Sequence, residues 1–556
     1  MYQSRIPGNV KVNCGVIKPV DTPQFSSCLY LTSLRFYDTV YEPAVMELHP
    51  GFHSTRLLVL AATVLTVAFA VARIRRFLVR RQFARLHGCK PIVRRSNKDP
   101  FLGLDRIYTI IQSAREHKTL EQGCERHRLL KYTFSSKQML HNTILTSEPE
   151  NIKTILSINF KHYGLGYRLE QFGPLLGEGI FDTDGDHWAM SRALIRPNFT
   201  RDQVADLASF ENLIQDLFAL IPRDGRTVVD LQSLFFRYTI DSATEFLFGQ
   251  SVGSLRMNGS DSEFAEAFNY SQEAITMRGM LGQLHKFYRD PKADKSDRIC
   301  REFAQQFVDE AVRAVQSEAK EDKKESSETK RQKYTFSHEL ARRTSDKRRI
   351  LDELMNVLLA GRDTTASLLS NMFFMLAKHP AIWAKLRSEV ASLEGRLPTY
   401  EELRNLKYLK YCMNESLRVH PVVPMNERKA LQDTVLPVGG GEDGLSPVFV
   451  PKGTLIGYNV YAMHRRPDFY GPDADEFRPE RWENGKLQPR WEYLPFNGGP
   501  RICVGQQYAL TEVGYVTVRM AQEFQNLESR DPGPWEESLT LTLCSRNGTK
   551  VCVTPA

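Results

Sequence analysis

Cys503 stands alone among glycines. The stretch Phe496–Glu512, FNGGPRICVGQQYALTE, places Gly498 and Gly499 before it and Gly505 after it. Glycine lets the backbone turn tightly and lets a flat ligand approach where a Cβ would block it. Helical patterning starts directly afterwards. A thiolate at Cys503 therefore sits beside a helix N-terminus, whose dipole and free N–H groups favour negative charge. Arg501, two residues earlier, offers a cation to an acidic group on the ligand. A single cysteine is ordinarily a small buried apolar residue. The pattern FxxGxRxCxG (Phe496, Gly499, Arg501, Cys503, Gly505) describes something else, a loop built around one thiolate. The nine cysteines are scattered and include no CxxC pair. That argues for a reducing compartment and excludes both a zinc ribbon and a disulfide framework.

Three other motifs carry chemistry. AGRDTTA (Ala360–Ala366) lies inside a helical pattern, Met355 to Leu376. Gly361 costs about 1 kcal/mol there against alanine, so it needs a reason. With Ala360 it would open the helix face for a ligand, beside the acid of Asp363 and the hydroxyl of Thr364. The plainer reading is an ordinary helix in which Thr364 bonds back to a carbonyl. In ESLR, Glu415 and Arg418 are three apart in a second helical pattern, Tyr400 to Arg418, and meet on one face. Such pairs are usually surface contacts of little energy. FRPERW (Phe477–Trp482) follows with Arg481. In HWAMSR, Trp188 and Arg192 are one turn apart on one face. Arg428 lies ten residues beyond Arg418; alone, it or Arg192 would pass for a solvated surface arginine.

Together, in this order, the motifs resemble the cytochrome P450 family, the heme-thiolate monooxygenases, over roughly residues 85 to 556. The resemblance implies a mainly α fold with a smaller β-rich lobe. It implies heme b as cofactor, with Cys503 as the proximal iron ligand. Asp363 and Thr364 become the proton-delivery pair. Trp188, Arg192, Arg428 and Arg501 are expected around the heme propionates, with Phe496 and Gly505 in the heme loop. Glu415, Arg418 and Arg481 become a buried structural network. Finer stretches, such as LLGEGIFDTDGDHWAMSRALIRPNF (Leu175–Phe199) and HPVVPMNERKA (His420–Ala430), are similar to the fungal branch that hydroxylates n-alkanes and fatty acids at or near the terminal carbon. By position, Phe172, Ala360, Val422, Val423 and Met425 are its candidate pocket residues.

Upstream, Leu57–Ala72 is an uncharged apolar run, and Arg73, Arg75, Arg76, Arg80, Arg81 and Arg85 crowd its downstream side. The run is slightly short of the ~20 residues that span a hydrocarbon core. The arginines mark the cytosolic flank. The expected organisation is an N-terminal extension (1–50), with Met46 as an alternative start, a membrane anchor (51–80) and a catalytic domain (81–556). By the resemblance, the expected location is the endoplasmic reticulum membrane, with a single pass and the catalytic domain in the cytosol. Residues 318–333 carry eleven charges in sixteen and read as a solvated connector. Leu436–Gly453, rich in Gly and Pro, reads as turns between short strands.

Hydrophobic residues at 42% and charged residues at 25% exclude a mainly disordered or polytopic membrane chain. A net charge of +8 over 556 residues suits an anionic membrane surface or an acidic protein partner rather than nucleic acid. No GxGxxG opens a βαβ unit, so electrons must come from another protein. By resemblance that partner is NADPH–cytochrome P450 reductase, with cytochrome b5 as a second donor; O2 and an apolar small molecule complete the reaction. The alternatives left open are a tailoring oxidase of a secondary metabolite, a heme-thiolate isomerase or dehydratase, and a non-catalytic heme sensor in the membrane.

Overall fold

The computed structural model describes residues 51–99, 103–138, 141–200, 207–256, 263–321 and 335–556. The N-terminal extension and the Met46 start lie outside them, as does most of the charged connector. The chain divides into two units, Met1–Arg73 and Ile74–Ala556.

In the first, the helix Gly51–Leu86 begins. Its segment Arg56–Leu86 is long and apolar enough to cross a membrane, with a mean hydropathy of 2.4 over the most apolar window. The expected anchor stopped at residue 80, but the helix continues to Leu86. Within the second unit, Arg80 on that extension makes a two-pronged contact with Asp433 at 2.9 and 3.1 Å.

The second unit is mainly helical around a smaller β lobe. Its centre is the helix Lys347–Lys378, packed beside Leu231–Phe248 and Gln506–Glu523. The first two start on side-chain caps: Asp346 accepts from the Arg349 N–H and Asp230 from the Gln232 N–H. Lys347–Lys378 is buried almost all round, and its buried polar side chains, among them Asp352, Glu353, Asn356 and Asp363, are paired with neighbouring groups. Phe373 on it meets Phe235 on Leu231–Phe248 at 5.2 Å. The expected helix Tyr400–Arg418 is two helices, Tyr400–Asn405 and Lys407–Val419. Leu406 between them is extended, because Glu389 reaches in to accept the Tyr408 and Leu409 N–H groups at 2.8 and 2.9 Å. A cap supplied from another helix left no local signal.

The β lobe is a six-stranded sheet in the order Val93–Arg94, Thr133–Gln138, His141–Thr146, Leu455–Asn459, Met425–Ala430, Tyr163–Gly164. Met425–Ala430 runs antiparallel to Leu455–Asn459, with Arg428 opposite Ile456. The Gly- and Pro-rich stretch forms the antiparallel pair Thr434–Gly440 and Ser446–Val450.

One buried carboxyl joins the three central helices. Glu512 is 1% exposed and faces the hydroxyls of Ser242 and Thr365. Burial pushes its pKa up from 4.5 to about 7. The folded state thus holds a proton that the unfolded state has lost, and stability falls as pH rises from 4.5 to about 7. Glu512→Gln is expected to remove that slope, which amounts to about 3 kcal/mol over the window. Chemical denaturation of parent and variant across this range checks it; parallel pH profiles would contradict it.

Candidate active site

The loop before Gln506–Glu523 is closed by its own backbone: the Cys503 N–H donates to the Phe496 carbonyl at 3.0 Å and the Ile502 N–H to Gly499 at 3.1 Å. Two glycines let it sit against its neighbours. A Cβ on Gly499 would stand 1.9 Å from the Leu156 carbonyl oxygen, and its φ of +68° is left-handed. A Cβ on Gly498 would lie 2.7 Å from the Trp491 ring. At Gly505 an added Cβ would meet only Phe199 at 3.6 Å, so the fold alone does not require that glycine. Gly499→Ala is expected to displace the loop, at about 1–3 kcal/mol for the strained backbone alone. Thermal unfolding and heme absorbance of the variant check this.

Cys503 is solvent-accessible yet surrounded by protein, and its thiol has no side-chain partner among the described residues. Burial pushes its pKa up, against the Gly505 N–H and the Arg192 guanidinium, which favour thiolate. It opens on a cleft of about 940 Å³ lined by Trp188, Arg192, Phe199, Gly499, Ile502 and Val504 among others. Among the described residues no three His, Cys, Asp or Glu side chains could hold a metal together. Iron bound at Cys503 would therefore need its other ligands from outside such a cluster, as a heme would supply them.

Four arginines surround this region. Arg192 donates to the Ile502 carbonyl at 3.0 Å and lies 6.0 Å from the Trp188 ring. Arg501 lies 4.4 Å from the same ring and pairs with Asp184 at 2.7 Å. Arg428, 3% exposed, shares the Asn426 side-chain oxygen with Arg168, at 3.0 and 2.6 Å. Burial and the Arg428 charge lower Arg168 to about 10; burial lowers Arg501 to about 10, with Arg428 and Arg168 adding to it. Among the described residues no carboxylate is within ion-pair distance of Arg168 or Arg428. Glu427 and Asp182 act on Arg168 only from further away. Buried cations need counter-charges. A ligand bearing two carboxylates would supply them, and the donor set fits a heme. Arg168 and Asn426 were not singled out from the sequence. Asn426 had a usable signal, since alternate strand positions share a face with Arg428. Arg168 had none.

The long helix presents its own face. Within a buried stretch, Val357, Ala360, Gly361 and Thr364 remain partly exposed, at i, i+3, i+4 and i+7. Thr364 does bond back, its hydroxyl donating to the Ala360 carbonyl at 2.7 Å. Asp363 points elsewhere. It is 3% exposed, pairs with Arg362 at 2.7 Å and lies beside Gln272. Burial raises its pKa and Arg362 opposes this. Of the pocket residues named from position, Val423 (36%) and Met425 (40%) are exposed, and Phe172 is half-buried 6.0 Å from Phe181. Val422 is instead packed in the main core, and its carbonyl accepts the Leu543 N–H.

Behind the loop, Glu415 and Arg418 are fully buried and joined by two hydrogen bonds of 2.8 and 2.9 Å. Glu415 also accepts from Arg481, the Trp482 ring N–H and the Arg478 N–H. Arg418 donates to the carbonyls of His464, Ala474 and Glu476.

A family model described as Cytochrome P450 matches residues 101–553. The chain belongs to the cytochrome P450 family. This P450 is 52% identical to Cytochrome P450 monooxygenase himC of Aspergillus japonicus over 469 residues, 84% of this chain and 83% of that one. It is 47% identical to Cytochrome P450 monooxygenase fsdH of Fusarium heterosporum, over 92% of both chains. With Cytochrome P450 52A4 of Candida maltosa it shares 45% identity, over 72% of this chain and 78% of the other. It is therefore a fungal-type P450 monooxygenase, an enzyme that uses heme iron, O2 and a redox partner. The expected mainly α fold with one apolar N-terminal helix is the fold observed.

Proposed function

We propose that this P450 hydroxylates an apolar chain, an n-alkane or a fatty acid, at or near its terminal carbon. The carrying observation is the uncovered stripe Val357, Ala360, Gly361 and Thr364, small and apolar up to a single hydroxyl. The exposed apolar side chains of Phe181, Val423 and Met425 support it, as do the stretches similar to the fungal n-alkane and fatty-acid hydroxylases. Cys503 would hold the iron of heme b, and Arg192, Arg428, Arg501 and Arg168 its carboxylates. When bound, the heme supplies the activation of O2 and the insertion of one oxygen atom into a C–H bond. Thr364 parks its hydroxyl proton on the Ala360 carbonyl and can turn it towards the open face. Asp363, held by Arg362 away from the open face, would serve as the proton reserve of the pair only on turning from that partner. Electrons come from a membrane-bound NADPH-dependent reductase, with cytochrome b5 as a second donor. The apolar helix and its flanking arginines support an endoplasmic reticulum anchor with the catalytic domain in the cytosol.

A second reading is a tailoring oxidase of a secondary metabolite; the himC and fsdH relatives, at 52% and 47% identity, are more similar to this chain than the 52A4 relative at 45%. Turnover separates the two. Membranes carrying the protein and a reductase receive NADPH with a medium-chain alkane or a long-chain fatty acid, and products are read by mass spectrometry. Terminal alcohol or diacid is the expected result. No product, with an intact thiolate–heme spectrum, would move the substrate to the second reading.

A further inference from the structure

The loop 177–182 carries Phe181 and is fastened to the long helix one backbone group at a time. The Glu178 N–H donates to Asp352 at 3.0 Å, the Ile180 N–H to Glu353 at 3.1 Å and the Phe181 N–H to the Asn356 side-chain oxygen at 2.9 Å. The Asn356 amide donates in turn to the Leu176 carbonyl at 3.2 Å and to Asp352 O at 2.7 Å. Arg301 braces the start of the loop, bonding Asp352 at 2.6 Å and the Leu175 carbonyl at 3.2 Å. The fit leaves no slack. A Cβ on Gly177 would stand 1.9 Å from Asp352, and one on Gly179 2.3 Å from the Asn356 amide nitrogen.

The fastening sits at the head of the open stripe. Glu353 is one turn before Val357, and Asn356 is one turn before Ala360, about 6 Å along the axis. Thr364 is a further turn on. Phe181 is 37% exposed, and its ring lies 5.7 Å from the Arg168 guanidinium, within the arginine cluster of the site.

We infer that Asn356 is a positioning residue for substrate selectivity: with Asp352 and Glu353 it ties the 177–182 loop to the long helix and so fixes where Phe181 stands at the end of the open face. A chain lying along that face meets the Phe181 ring as a stop set by the helix itself. This rests on the proposed hydroxylation of an apolar chain.

The test uses the full-length protein in membranes with a reductase. Asn356→Ala removes the acceptor for Phe181 and the donor to Leu176. Gly179→Ala keeps every hydrogen-bonding group and pushes on the Asn356 amide; no left-handed φ complicates it. In both variants, amide hydrogen exchange at residues 178–181 is expected to rise about tenfold. The ratio of terminal to subterminal alcohol from one alkane is expected to change about threefold or more. The carbon monoxide difference band of the thiolate-bound heme should persist. Parental exchange would show that the contacts do not hold the loop. Faster exchange with the parental product ratio would show that the loop does not set selectivity. Loss of heme from both variants would place the contact in cofactor retention. Each of these overturns the inference. If the parent itself gives no product, the substrate reading has failed, while the exchange measurement still decides whether the tether exists.

Discussion

Glu415→Ala is expected to yield protein that cannot keep its heme. Glu415 accepts from the buried side chains of Arg418, Arg481 and Trp482 and from the Arg478 backbone. Removing the carboxylate leaves the Arg418 cation, 0% exposed, without any counter-charge. Breaking a buried pair in this way costs about 3–5 kcal/mol, a large share of a typical folding free energy. Arg478, Arg481 and Trp482 belong to the segment that leads into the Cys503 loop, so the damage reaches the thiolate. Purification with heme quantified per chain, beside a denaturation midpoint, checks this. Stoichiometric heme and an unchanged midpoint would contradict it.

Cys503→Ser should separate chemistry from folding. The Cys503 thiol has no side-chain partner among the described residues, so the polypeptide should lose no more than about 0.5 kcal/mol of stability. Activity should collapse. A serine hydroxyl is neutral at working pH and cannot supply the electron density that a thiolate gives to iron. Product formation should fall by more than about 100-fold, beyond what loss of a supporting residue around a metal usually costs. The carbon monoxide difference band of the thiolate complex should disappear. Parental turnover in this variant would remove Cys503 from its role.

The parts of the site legible in the sequence are those whose partners are close in the chain. Glu415 and Arg418 share a helix turn; Gly498, Gly499, Arg501 and Cys503 share a loop. Arg168 meets Arg428 across 260 positions, and Asp352 meets the Glu178 amide across 174. No periodicity encodes such a meeting, because the fold alone brings the groups together. Asp363 shows a different limit. Its place beside Thr364 in the chain suggested a shared face, but adjacent helix residues diverge by about 100°. It turns instead to Arg362 and Gln272. Val422 shows another, for a residue named as a pocket candidate from its position is packed in the main core.

Arg168 and Arg428 share a single neutral acceptor, the Asn426 side chain. Arg168 and Arg428 also donate to the Phe181 and Glu427 carbonyls, and the Glu427 and Asp182 carboxyls act from further away, so the two like charges touch only neutral groups and a ligand bringing carboxylates closer would relieve their repulsion. Anything that binds only the folded form stabilises it by mass action. The folded chain is therefore expected to unfold at a higher temperature with heme bound than without it, which thermal denaturation of the two forms measures.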